Sequence, residues 1–157
     1  MAIVLLTLVT LAYAGYNLFV KVAGDHAPAE ATTTVLATMV LQIGAIATST
    51  AFLIFLSVQG GHVFKLSTPT YVYALIAGVC IGTAEIGYLY IFGGVGGIKP
   101  LPGSLVIPTV VTGTIVITLI VSWLVFKEHL SMMQLFGAAM IVGGIAVLFA
   151  GHKGHVA

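Results

Sequence analysis

Five long apolar runs constrain this sequence more than any other feature. They cover residues 2–22, 32–58, 71–92, 105–126 and 132–150. Each run has close to the roughly 20 apolar residues that a helix needs to cross the hydrocarbon core of a bilayer. Backbone groups must be paired in lipid, and the runs are continuous rather than alternating, so helices are expected and strands are not. The sequence therefore predicts an all-α integral membrane protein, folded as one domain of five transmembrane helices over residues 1–157.

The composition excludes several other classes of protein. Only 6% of the residues are charged, whereas a soluble domain has about 25% charged residues. The net charge of +1 gives no electrostatic reason to expect binding to nucleic acid. No arrangement of a nucleophile with a base is visible, and His152-x-x-His155 is a weak metal site. We therefore predict a protein of the lipid bilayer that is not an enzyme and that needs no cofactor or metal ion.

One acid, Glu85, interrupts the third apolar run without a basic residue beside it. At 1.5 Å per helical residue it lies about 5 Å from the midpoint of the run. A charge at that depth costs about 2.5–3.5 kcal/mol, so such groups usually face a cavity or a partner. Gly78 and Gly82 share its helical face and allow a neighbouring helix to approach. Two interpretations remain open: an ionisable switch, or a protonated residue that only holds helices together.

Other polar residues in the first two runs are candidates for the surroundings of Glu85. Tyr13, Asn17 and Lys21 recur every four residues and so project from one face of the first helix. Helices one and three run in the same direction, which allows this face to meet Glu85. The alternative for Lys21 is that its amine extends to the lipid headgroups. Gln42 in the second run is costly in lipid and should face protein or water.

Glycine and proline mark the breaks and the packing faces. Thr68-Pro69 predicts a cap and a first-turn proline for the third helix, and Ser131-x-x-Gln134 predicts a capping box for the fifth. Pro108 lies inside the fourth run, where it predicts a kink. Two glycine groups complete the pattern: a hinge after the third helix at Gly93, Gly94, Gly96 and Gly97, and a helix-packing or dimer face at Gly137, Gly143 and Gly144.

The lysines are almost evenly divided between the two sides of the membrane. Lys65 and Lys127 share a side with the N-terminus, whereas Lys21, Lys99 and Lys153 lie on the other side. Orientation follows the imbalance of basic residues in short loops. An imbalance of one residue predicts that the chain can insert in both orientations.

Residues 87–149 resemble the drug/metabolite transporter superfamily, and specifically its EamA-like repeat. This stretch has a third helix, a glycine break, a proline-bearing fourth helix, an acidic turn and a glycine-rich last helix. In the first helix, Asn17-Leu18-Phe19-Val20-Lys21 is similar to the family's Asn-Phe-x-x-Lys ending. Two positions depart from the family pattern, since Ile107-Pro108 and Glu128-His129 each stand where Glu-Pro is common. The first departure removes the acid that the family usually has near its cavity.

The resemblance implies a half-transporter. Typical members fuse two five-helix repeats of opposite orientation, whereas this chain has one copy and resembles the branch that pairs with itself as an antiparallel homodimer. It implies a secondary transporter of small molecules such as metabolites or drug-like compounds, proton-coupled and working by alternating access. The expected location is a bacterial or archaeal plasma membrane. The alternative from a different class is a non-transporting helix bundle that serves as an accessory or assembly protein.

We predict that Glu85 carries the proton or substrate in such a transporter. Pro108 and the glycine hinge would permit rocking. The acid suits a cationic substrate and Lys21 suits an anionic one, so the charge of the substrate remains open. The residues predicted to bind proton or substrate are Glu85, Tyr13, Asn17, Lys21, Tyr88, Thr112 and Gln42.

Overall fold

The described part of the protein contains five α-helices. A computed structural model describes residues 1–60 and 65–153, apart from the side chains of residues 152 and 153. Each helix is long and apolar enough to cross a membrane, which confirms the predicted all-α class with five candidate membrane spans. The helices are α1 (Ala2–His26), α2 (Ala31–Gln59), α3 (Thr68–Gly93), α4 (Gly103–Leu124) and α5 (Met132–Lys153), with a 3₁₀ turn at Val95–Gly97.

Local hydrogen bonds explain where two of the helices begin. The backbone N–H of Ser131 donates to Oε1 of Gln134 at 2.7 Å, and the N–H of Gln134 donates to Oγ of Ser131 at 3.2 Å. This reciprocal pair confirms the predicted capping box. At the start of α3 the cap is Ser67, whose Oγ accepts from the N–H of Thr70. The predicted cap at Thr68 was wrong by one residue, because Thr68 is already the first residue of the helix.

In the unit formed by Met1–Pro100, α3 packs against both α1 and α2. The two helices α1 and α3 approach closely at Gly24, where an added Cβ would lie only 2.5 Å from Cβ of Phe92. Every residue in the range 1–14 is exposed. The second half of α1 therefore makes the packing with α3, and a glycine sets the distance between the two helices.

The segment that follows α3 contains glycines in the left-handed region. Gly94, Gly96 and Gly97 have φ values of 70°, 73° and 80°, which residues with a Cβ rarely adopt. A Cβ on Gly94 would also lie 2.9 Å from the carbonyl oxygen of Ile98. Gly93 is the last residue of α3. The predicted break is confirmed, and its use as a hinge remains a prediction.

The unit formed by Leu101–Ala157 contains α4 and α5, which pack against each other. The helix α4 continues through Pro108, although the proline ring leaves the carbonyl of Ser104 without its usual helical donor. On α5, a Cβ added to Gly137, Gly143 or Gly144 would meet no described atom within 4 Å. Their role as a dimer face remains a prediction.

The contact at Gly24 predicts a specific loss of stability. Gly24→Ala places a methyl group against Phe92, and we expect it to lower the free energy of unfolding by about 1–3 kcal/mol, as overpacked cores do. Gly15→Ala is the matched control on the same helix, because a Cβ there meets no described atom within 4 Å. Reversible unfolding in mixed micelles measures both. Equal stability of the two variants would show that α1 and α3 do not meet at Gly24.

Candidate functional site around Glu85

Glu85 is buried inside the first unit in spite of its charge. Its exposed fraction is 2%, and among the described residues its Oε2 atom has no hydrogen-bond partner. Buried carboxyl groups ordinarily satisfy both oxygens, since an unpaired polar atom in an apolar environment costs several kcal/mol. An incompletely satisfied acid in the middle of a membrane span is therefore the first candidate for function.

The phenol of Tyr16 is a polar group beside the carboxyl group of Glu85. This half-buried side chain extends from α1 toward α3, where its hydroxyl interacts with the carboxyl group. The edge of its ring packs on Tyr13, with 6.3 Å between ring centroids. Tyr16 was not among the predicted site residues. Its signal in the sequence was weak, because one tyrosine among many apolar residues is typical of any membrane helix.

Gln42, which belongs to α2, approaches the face of α3 that carries Glu85. A Cβ added to Gly82 would lie 3.0 Å from Nε2 of Gln42, and Gly82 precedes Glu85 by about one helical turn. Gln42 thus faces protein, which is one of the two alternatives that the sequence left open. Gly82 provides the predicted close approach, whereas Gly78 does not, because a Cβ there would meet no described atom within 4 Å.

Lys21 lies away from Glu85 and is engaged elsewhere. Its ammonium group pairs with the carboxylate of Asp25 one turn later on α1. It also lies 5.6 Å from the ring centroid of Phe92, within the range of a cation–π interaction. The charge of Lys21 is thus balanced near the end of its own helix, and within the described chain the acid keeps no basic partner.

The other predicted site residues fall into separate places. Nδ2 of Asn17 donates to the carbonyl oxygen of Tyr13 at 2.9 Å, so its amide is bound within α1. Tyr13 itself is 61% exposed. Tyr88 is half-buried and its ring stacks on Phe92 with 5.5 Å between centroids. Thr112 is buried in the second unit. The structure brings Tyr16 and Tyr88 to the Glu85 region, and the substrate-binding roles stay predictions.

A metal centre has no support in the described part of the chain. No group of three or more histidine, cysteine, aspartate or glutamate residues is placed there to hold an ion. Of the weak histidine pair, His155 lies outside the described residues, and so does His62. Cys80 is a free thiol on an exposed face of α3 rather than a buried one.

Comparisons of the chain with protein-family models, with curated proteins and with solved structures found no match. The functional argument therefore rests on the chemistry of the residues around Glu85.

The interaction between Tyr16 and Glu85 predicts a spectroscopic change. Tyr16→Phe keeps the ring and removes the hydroxyl donor, so the carbonyl stretch of protonated Glu85 should move to higher frequency in infrared difference spectra. The band is identified by its loss in Glu85→Gln. Tyr13→Phe is the matched control because that ring is exposed, and it should leave the band in place. The same shift in both variants would contradict the assigned contact.

Proposed function

We propose that this chain is a secondary membrane transporter of small molecules, in which Glu85 alternately binds a proton and a cationic substrate. One observation carries the proposal: a carboxyl group in a membrane span is 2% exposed, and one of its oxygens has no partner among the described residues. Such a group is tolerated in hydrocarbon where it serves an ion or substrate pathway.

Proton transport and substrate transport are coupled because the proton and the cation exclude each other at Glu85. An ionised carboxylate at this position needs a compensating positive charge, and the described residues offer none, since Lys21 is paired with Asp25. Either a proton or an organic cation meets that need, and one carboxylate does not bind both at once. Proton release on one side of the membrane and cation release on the other then drive opposite fluxes.

The pairing of Lys21 also favours a cation over an anion as the substrate. An anion would need a free basic group near the site, and the nearest candidate already lies against Asp25 and Phe92. Tyr88 and Gln42 are placed to offer hydrogen bonds close to the acid.

We further propose that the working unit is an antiparallel homodimer in a bacterial or archaeal plasma membrane. Two features support it: the near-even distribution of lysines across the membrane and the uncovered glycines of α5. Repeats of opposite orientation around a midplane site are the general plan of secondary transporters. In such a dimer Glu85 is present twice, and the two carboxylates titrate as a coupled pair.

A non-transporting accessory bundle is the second candidate. The observation in its favour is the contact between Tyr16 and Glu85, because a polar interaction between two helices also stabilises a purely structural bundle. The two candidates differ in whether Glu85 exchanges its proton.

Glu85→Gln should abolish coupled transport while leaving the fold intact. In vesicles reconstituted with the protein, an inward gradient of tetramethylammonium should drive proton efflux, read by a trapped pH-sensitive dye. This cation is permanently charged and carries no proton by itself. The variant should match protein-free vesicles. Glu128→Gln, in the exposed segment before α5, should stay within about twofold of wild type. Undiminished coupling in folded Glu85→Gln would remove the acid from the mechanism.

Cross-linking of single cysteines tests the antiparallel dimer. Met132 and Ala150 lie at opposite ends of α5 on the same face, about 27 Å apart at 1.5 Å per residue. In a Cys80→Ala background, a chain with Met132→Cys should cross-link to a differently tagged chain with Ala150→Cys. Cross-links between two copies of Met132→Cys would instead indicate a parallel dimer and contradict the proposal.

A further inference from the structure

An apolar groove of about 460 Å³ lies beside Tyr16 in the first unit. Its floor consists of Val20 and Leu89, whose exposed fractions are 3% and 1%. Its rim includes Phe19 and Val40, which are 76% and 62% exposed. A buried floor under an exposed rim means that the groove opens outward from the helices. Its volume is within the range of small-molecule sites.

Small residues on two helices create this space. Ala23 of α1 and Ala37 of α2 both line the groove, where larger side chains would fill it. The lining is apolar apart from the hydroxyl of Tyr16. A ligand part that binds here must therefore be apolar itself.

Tyr16 is adjacent both to the groove and to the buried acid. The same side chain lines the groove and interacts with Glu85. Leu89 of the floor follows Glu85 by four residues, about 6 Å along α3. The floor of the groove thus lies within about one helical turn of a carboxyl group that has no basic partner in the described chain.

We propose that this groove is the subsite for the apolar arm of the transported cation, reached from the hydrocarbon side rather than from water. The inference rests on the proposed function, since it takes Glu85 as the site of the cationic head. The occupant is an organic cation with one alkyl or aromatic arm. Charge complementarity selects it over a neutral chain, because only a cation also compensates Glu85.

A homologous series of alkyltrimethylammonium ions, from methyl to hexyl, tests the groove. Binding is followed in detergent by proton release into a weakly buffered indicator dye. In wild type the affinity should rise by about fourfold for each added methylene that enters the groove. Ala37→Leu fills the groove and should remove this dependence while keeping the affinity for tetramethylammonium. Ala23→Leu does the same from the opposite wall and serves if the first variant does not fold.

Ala51→Leu is the matched control, because it adds the same bulk on α2 about 21 Å away from Ala37. It should keep the wild-type dependence on chain length, which corrects for partition of the longer ions into micelles. An equal dependence in wild type, Ala23→Leu and Ala37→Leu would overturn the groove proposal. Loss of the dependence when phosphatidylcholine is added to wild type would assign the groove to a lipid chain and overturn it as well. Absence of proton release with every ion would instead overturn the proposed function.

Discussion

The burial of one carboxyl group in an apolar helix is the constraint on which the first unit depends. Glu85 lies about 7 Å from the midpoint of α3 and is covered almost completely. No basic residue in the described part of the chain pairs with it. A phenol from α1 interacts with it, and an amide from α2 lies one turn away. The described surroundings are thus polar enough to hold the acid. They include no positive charge that would keep it permanently ionised.

Close helix packing makes this arrangement possible, and two glycines provide it. Gly24 lets α1 approach Phe92 near the end of α3, and Gly82 leaves room for the amide of Gln42. The central helix α3 therefore contacts α2 about one turn before its acid and α1 about two turns after it. Small residues at helix contacts are the usual means of association in membranes, because lipid tails are as apolar as the side chains.

The secondary structure was predictable from the sequence, whereas the site was predictable only in part. Run length and continuity predicted all five helices, and Ser131 with Gln134 predicted one helix start, because these signals are local. The contact between Glu85 and Tyr16 joins two helices, so no local signal in the sequence predicted it. Tyr13 lies on the helical face of α1 that packs against α3. It precedes the segment of α1 that makes this contact. Lys21 lies beyond Glu85, at the level of Phe92. The contact at Gly24 decides which turn of α1 faces Glu85. Helical periodicity predicts the face on which a residue lies, but not its position along the axis relative to a neighbouring helix.

In the proposed function, Glu85 changes its protonation state in competition with a cation. The sequence contains three glutamates, so Glu30→Gln with Glu128→Gln leaves Glu85 as the only one. Solid-state NMR of its ¹³C-labelled carboxyl carbon in bilayers then reports the protonation state directly. We predict a change from the protonated to the ionised signal as the pH rises, and the same change at constant pH when tetramethylammonium is added. A signal that stays protonated at every pH where the protein is folded, with and without the cation, would contradict the account.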